Sequence, residues 1–229
     1  MKVTAKSPKE SGREYALRVI KENIINLELA PGSQISENEL AEAMGISRTP
    51  VREALIILSK AKIVEIVPQK RSIVTLVDEN LIEESRFLRY VMETAVIELV
   101  CEKRTEEDIL VLEQNVRLQR FFLENDQREN VMRLDDELHR MFYEIAKTVE
   151  LHDLMENILI HFDRARKMAL YSVSDEKIVK EHEAMIEAIK ARDKEAAKQL
   201  MQKHLSRYKL DIREIREKYP EYFPKAETV

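Results

Sequence analysis

Asp135 and His139 stand four residues apart in the stretch RLDDELHRMF, so both project from one face of a helix. A carboxylate and an imidazole at that spacing form either a surface ion pair or half of a metal site. His182 and His204 bear on the choice. Each falls inside a predicted helix, and the two helices meet at a turn around Arg192 and Asp193. At helical rise, His182 lies about 16 Å before that turn and His204 about 17 Å after it, so an antiparallel pair sets the two imidazoles side by side. If the helix of Asp135 packs on this hairpin, four ligands converge inside a bundle, a common place for metal sites. The alternative is that His182 and His204 are separate half-buried polar residues, with Glu181 and Glu183 giving His182 a solvated setting. Spacing alone leaves both readings open.

A metal held by this set would have its own preferences. Three neutral imidazoles and one carboxylate on a divalent cation leave a net charge of about +1. Five- or six-coordination then leaves positions for an anionic oxygen, which suits a small organic acid as effector. The ligand types fit one divalent transition metal per chain, zinc or nickel first, with manganese or iron also compatible. Arg89, if it faces the cavity, is a candidate to clamp the effector's far end, since a guanidinium matches a carboxylate bidentately. Its simpler fate is an ion pair with Glu93, four residues on. His152 and His161 have no matching partners and read as surface or packing residues.

A second constellation is Arg48, Thr49 and Arg52. The segment 37–56 reads ENELAEAMGISRTPVREALI. Leu40, Ala41 and Met44 fall on the inner face of one helix, and Ile46, Val51 and Ala54 on the inner face of a second. Gly45 stands at the bend, where a left-handed backbone is needed. The outer face of the second helix is left with Arg48, Thr49 and Arg52, which can reach base edges and phosphates. The competing reading for Arg52 is a salt bridge within its own helix.

Positioning these residues requires a mainly α fold. A first helix is predicted over about 11–29, ended by Pro31 and Gly32. Ser36 and Glu39 form a capping box for the next helix, Ser47 caps the one after, and Pro50 sits in its first turn. That helix should run to about Ala61. Two β-branched runs, 63–67 and 73–77, read as a hairpin, which makes the unit a winged helix. Lys70 and Arg71 at the tip can touch phosphate or the minor groove, or form a solvated basic turn. From Asp78 onward, helices are predicted over about 79–103, 105–124, 128–147, 149–171, 175–191 and 193–218. Thr105, Ser174 and Asp193 are the cap candidates. This gives a winged helix-turn-helix domain at 1–77 and an all-helical domain at 78–229.

Composition agrees. The chain has 229 residues, 35% charged and 44% hydrophobic, with three glycines, as expected of a globular helical protein. Its net charge of −5 divides unevenly. Residues 1–77 hold 12 basic and 9 acidic side chains, and the remainder 26 and 34. A basic head on an acidic body places phosphate attraction at one end. Cys101, the single cysteine, reads as a buried inert thiol and fits a reducing cytoplasm. No signal core and no run of membrane-spanning length is present.

With these residues in view, the chain resembles the GntR family of bacterial transcription regulators, in its FadR-like subfamily with an FCD effector domain. LAPGSQISENELAEAMGISRTPVREAL is close to the family's signature. The later match is sparser: LRYVME, Asp135 with Leu138 and His139, Glu181-His182 with Met185, Ile186, Ala188 and Ile189, then His204-Leu205. The resemblance implies a winged-helix head, a helical effector bundle, a homodimer and a palindromic operator. It implies DNA contacts from Arg48, Thr49 and Arg52, with a further contact near Asn38. It also implies that Asp135, His139, His182 and His204 form the divalent-metal site of metal-binding FCD domains. One subfamily member senses acyl-CoA without metal, and the presence of all four ligand positions argues against that mode. Lys62 and Ser72 stand where the family usually has Gly, and Thr148 where it often has Asn.

The leading expectation is therefore a cytoplasmic, ligand-responsive DNA-binding regulator and not an enzyme. One rival is a metalloenzyme with an attached DNA-binding module. It lacks a clear general base, since Asp136 and Glu137 should point off the ligand face. Another is a regulator whose metal is purely structural.

Overall fold

Ser11 opens helix α1 (Gly12–Ile25) with a capping box, its hydroxyl accepting from the Glu14 amide while the Glu14 carboxylate takes the Ser11 amide at 2.8 Å. The computed structural model describes residues 1–67, 71–172, 176–206 and 208–225, so Lys70 and Ser174 lie outside the described residues. α1 ends earlier than its apolar pattern suggests. The Asn26 side chain donates to the Glu22 carbonyl, and Leu27 turns left-handed at φ 62°.

α2 (Glu37–Met44) and α3 (Arg48–Lys60) follow, joined through Gly45 at φ 65°. Ser36 and Ser47 occupy the two N-cap positions with extended backbone, yet neither makes a side-chain cap bond. The capping box expected at Ser36 fails because Glu39 turns outward to Arg71. α3 closes in a Schellman turn, with Ile63 N bonded to Leu58 O at 3.0 Å and Lys62 N to Ser59 O at 2.9 Å. Lys62 supplies the left-handed residue of that turn, at φ 58°.

The expected hairpin is one part of a three-stranded antiparallel sheet. Its strands are β1 (Gln34–Ile35), β2 (Val64–Glu65) and β3 (Ser72–Val74), in the order β1-β3-β2. Gln34 pairs with Ile73, and Val64 with Val74. β1 has two residues, too few to show alternation in a sequence.

The helices that follow are α4 (Glu79–Lys103), α5 (Glu106–Glu124), α6 (Arg128–Ala146), α7 (Val149–Ser172), α8 (Lys177–Lys190), α9 (Lys194–Ser206) and α10 (Tyr208–Lys218). Thr105 caps α5 in a box with Asp108, and the Asp193 carboxylate accepts the Ala196 amide at 3.0 Å. No helix among the described residues is long and apolar enough to cross a membrane.

The chain forms two compact units. The first comprises Met1–Ile82, Asn157–Lys167 and Arg216–Val229. Its core joins Val19, Ile20 and Ile24 of α1 to Val51, Leu55 and Leu58 of α3, with Ile160 of α7 inserted among them. Beside Ile160, His161 donates from Nε2 to the Ala61 carbonyl at 2.8 Å, satisfying an orphan group at the end of α3. Arg164, 1% exposed, donates to the carbonyls of Thr75 and Leu76 at 2.8 and 3.2 Å.

The second unit comprises Glu83–Glu156 and Met168–Ile215. Here α5 packs on α6 and α8, and α8 on α9. Two arginines fasten the α8–α9 turn. Arg192 donates to the Cys101 and Glu102 carbonyls at the end of α4, both at 2.8 Å, and Arg104 donates to the Lys190 carbonyl at 2.6 Å. Cationic groups on helix C-terminal carbonyls are favoured by the helix dipole. Cys101 is buried and free, and burial pushes its thiol up, away from the reactive thiolate.

Candidate functional site

Asp135 and His139 lie one turn apart on the buried face of α6, which also carries Leu134, Leu138 and Phe142. The α8–α9 hairpin brings His182 and His204 together with ring centroids 4.8 Å apart. The ring of His139 stacks 5.3 Å from that of His204 and meets His182 edge-on at 5.6 Å. Asp135 Oδ1 is 3.3 Å from His182 Nε2 and 4.0 Å from His139 Nε2. One ligand atom from each of the four residues falls within 4.8 Å of the others. Metal bonds of about 2.1 Å place ligand atoms about 3.0–4.2 Å apart, so small side-chain movements close this set on an ion.

The surroundings of the imidazoles fit that chemistry. Each Nδ1 faces an acceptor from outside its own helix: His139 lies 2.7 Å from Glu93 of α4, His182 is 2.8 Å from Gln119 Oε1 of α5, and His204 is 3.1 Å from Glu181 of α8. A ring that keeps its proton on Nδ1 presents a basic Nε2, and such outer partners fix both tautomer and orientation of metal-binding histidines. Gln119 is itself held, because its amide donates to Asn115 Oδ1 at 2.7 Å and to the Leu134 carbonyl at 3.3 Å. Its oxygen is thereby turned to His182.

Arg89 and Glu93 extend the chain of contacts. Arg89 Nε is 2.6 Å from Glu93 Oε1, with both side chains about as buried as Asp135 and His139. Burial opposes ionisation of Glu93, yet the charges of Arg89 and His139 outweigh it and hold the carboxyl well below the usual range. Of the two readings of Arg89, this is the i,i+4 pair. Tyr143, one turn beyond His139, is fully buried, and burial followed by the Glu93 charge pushes its phenol up.

Glu93, Gln119 and Glu181 in these supporting places were not singled out by sequence reasoning. The alternative of a solvated setting for His182 does not hold: Glu181 is buried and bonded to His204, while Glu183 pairs outward with Arg120 at 2.6 Å. A signal was present for Gln119. It continues the buried stripe of Ile109, Leu112 and Val116, where a polar residue needs a partner. His152 stands with Asp153 and Glu156 in a partly exposed group to which Arg140 is already bonded.

The outward face of α3 carries the second set. Arg48, Thr49 and Arg52 are exposed, while Val51, Ala54, Leu55 and Leu58 are buried. Arg52 makes no ion pair among the described residues, so the bridge within its own helix does not form. Arg48 pairs with Glu37 at 3.0 Å, and Arg71 grips Glu39 with two nitrogens at 2.6 and 3.2 Å. Exposed pairs of this kind contribute about 0–1 kcal/mol, so phosphate can displace them. Asn38 is exposed on the first turn of α2.

Comparison with known proteins agrees with both halves. Residues 14–74 match the GntR family of bacterial regulatory proteins, and residues 84–207 match the FCD domain. The HTH-type transcriptional repressor RspR of Escherichia coli K12 is 30% identical over 221 residues, covering 96% of this chain and 97% of that protein. A transcriptional regulator from an unstable DNA locus of Streptomyces ambofaciens is 32% identical over 206 residues, 89% of this chain and 86% of its own length. Among solved structures, E. coli McbR/YncC superposes with a TM-score of 0.78 at 21% identity, over 91% of this chain and 99% of the other, a likeness of fold. The chain belongs to the GntR family of transcriptional regulators, with an FCD domain following its helix-turn-helix domain.

Proposed function

We propose that this regulator binds a palindromic operator as a homodimer and that a small carboxylate effector, held at a divalent metal in the helical domain, modulates that binding. The observation that carries the reading is the set of three imidazoles, each with Nδ1 against a separate acceptor, gathered around one carboxylate. Asp135, His139, His182 and His204 would hold the metal. Bound there, it would supply a positive centre for an anionic oxygen. Zinc or nickel fits this nitrogen-rich set best, with manganese and iron as further occupants.

Arg48, Thr49 and Arg52 would read base edges and phosphates, with Asn38, Arg71 and Lys70 contributing at the flanks. Exposed Phe87, Leu110, Phe121 and Leu154 on the helical domain supply apolar surface for a second copy. A two-fold dimer would place its recognition helices about 34 Å apart, in successive major grooves. A buried reduced thiol and the absence of a membrane-length helix among the described residues suit a cytoplasmic DNA-binding protein.

The test is anisotropy on duplexes selected by the metal-loaded protein from a random pool, with acetate, lactate and citrate titrated in. Operator affinity should shift with at least one acid, and His204→Ala should abolish the shift. Arg48→Ala should erase sequence preference, about 1–3 kcal/mol at one base pair. One rival has a specific footing. Asp135, His139 and His182 are almost wholly buried and His204 is partly so, as suits a structural metal. Chelation that lowers the melting temperature but leaves operator affinity deaf to every acid would favour that rival.

A further inference from the structure

The residues before α1 form an ordered segment, and Arg18 is what orders it. The guanidinium donates to Thr4 Oγ1 at 2.6 Å and to the Ala5 carbonyl at 3.1 Å, while Asn23 exchanges bonds with the Lys2 backbone at 2.6 and 2.7 Å. The segment therefore runs back along α1 and enters it at Ser11. That entry lies against the recognition helix, because a side-chain carbon placed on Gly12 would sit 3.4 Å from Pro50 Cβ. Pro50 follows Arg48 and Thr49 directly, so the starts of α1 and α3 share one end of the first unit.

Charge is distributed unevenly in this segment. Its acids are engaged: Glu10 pairs with Arg18 at 2.7 Å, Glu22 pairs with the same arginine at 3.3 Å, and Glu14 closes the capping box. The cations Lys6, Lys9 and Arg13 are exposed, and none makes an ion pair among the described residues. Arg48 and Arg71, by contrast, are already paired with acids of α2. Three unpaired cations on a pre-ordered backbone, beside the residues that face bases, suit a polyanion whose charges repeat along a line.

We propose that Lys6, Lys9 and Arg13 form an additional phosphate-binding surface that grips the DNA backbone flanking the recognition helix. The proposal rests on the DNA-binding reading above and adds a contact outside the helix-turn-helix and the wing. Such contacts contribute affinity without sequence preference.

The test uses full-length protein, a duplex it selects from a random-sequence pool, and a scrambled duplex of equal length. In Lys6→Gln/Lys9→Gln/Arg13→Gln, affinity for both duplexes should fall by the same factor. The slope of log affinity against log salt should become shallower by about 2–3, from about 0.9 per lost phosphate contact. The melting temperature should be unchanged, since no ion pair is removed. The charge-conserving variant Lys6→Arg/Lys9→Arg/Arg13→Lys should keep wild-type slope and affinity. If the neutral variant matches wild type in both while Arg48→Ala loses preference for the selected duplex, the surface does not touch DNA and the proposal is overturned. If wild type and Arg48→Ala bind the two duplexes alike, the sequence-reading role of α3 fails, and this inference falls with it.

Discussion

Glu93 sits between the Arg89 guanidinium on one oxygen and the His139 imidazole on the other. A carboxylate there favours the neutral tautomer with its proton on Nδ1, which leaves Nε2 toward Asp135, His182 and His204. Glu93→Gln preserves shape and removes that charge. Metal affinity, measured by competition with a chromogenic chelator, should drop about 10–100-fold. Equal affinity in the two proteins would show that Glu93 serves packing alone. Lys62 is a second residue whose conformation matters more than its side chain. It holds a left-handed φ of 58° where the family resemblance led one to expect Gly. Lys62→Gly should raise stability by about 0.5–1 kcal/mol by relieving that strain, and a β-branched residue there should lower it. Denaturant melts at constant m-value would report both. Asp135 and His139 were legible as a pair because Asp and His four apart share a helix face. Glu93 was visible only as a partner for Arg89, and Gln119 only as a polar residue on the buried stripe of α5, since contacts between helices leave no mark on spacing.

Among the elements, α7 carries the least expected assignment. Ile160, His161 and Arg164 lie within the first unit, in the core and on the carbonyls of Ala61, Thr75 and Leu76. Their apolar and basic pattern is that of any amphipathic helix, so periodicity announced burial and not the partner. Burial holds the His161 imidazole below its ordinary value, with the Ala61 bond opposing it and the Arg164 charge adding to it. The folded form then binds fewer protons than the unfolded form. The stability due to the neutral ring is fully present above the ordinary histidine range, near about 6.5, and is lost as pH falls toward the depressed folded value. Wild-type melting temperature should fall on acidification through that window. His161→Gln, which keeps a donor for Ala61, should fall less. Parallel pH profiles would mean that His161 does not titrate in this window. The helix caps show the same division between local and distant causes. Ser11 and Thr105 cap as their sequences suggest, whereas Ser36 does not, because Arg71 from β3's approach captures Glu39.

For the molecule as a whole, a ligand that binds only the folded state stabilises by mass action. A metal at about a thousand times its dissociation constant would contribute about 4 kcal/mol. Chelation of the purified protein should therefore lower its melting temperature, and restoring zinc or nickel should recover it. His182→Ala, lacking a ligand that is wholly buried, should melt at one temperature with or without chelator. A chelation response that survives in that variant would place the metal elsewhere. The charge division of the chain belongs to this scale too. Residues 1–77 carry an excess of base and the remainder an excess of acid, so added salt should weaken DNA binding despite the net charge of −5.

The order of helices, the left-handed bend at Gly45, the outward Arg48, Thr49 and Arg52, and the pairing of Asp135 with His139 were all determined locally. They depend on periodicity, caps and backbone preference, which act over a few residues and are written in the chain. The third strand, the return of α7 and the C-terminal segment to the first unit, and the acceptors behind each imidazole were decided only by packing. Those contacts join residues tens of positions apart, and what selects them is the need of buried polar groups for partners, which no single segment can reveal.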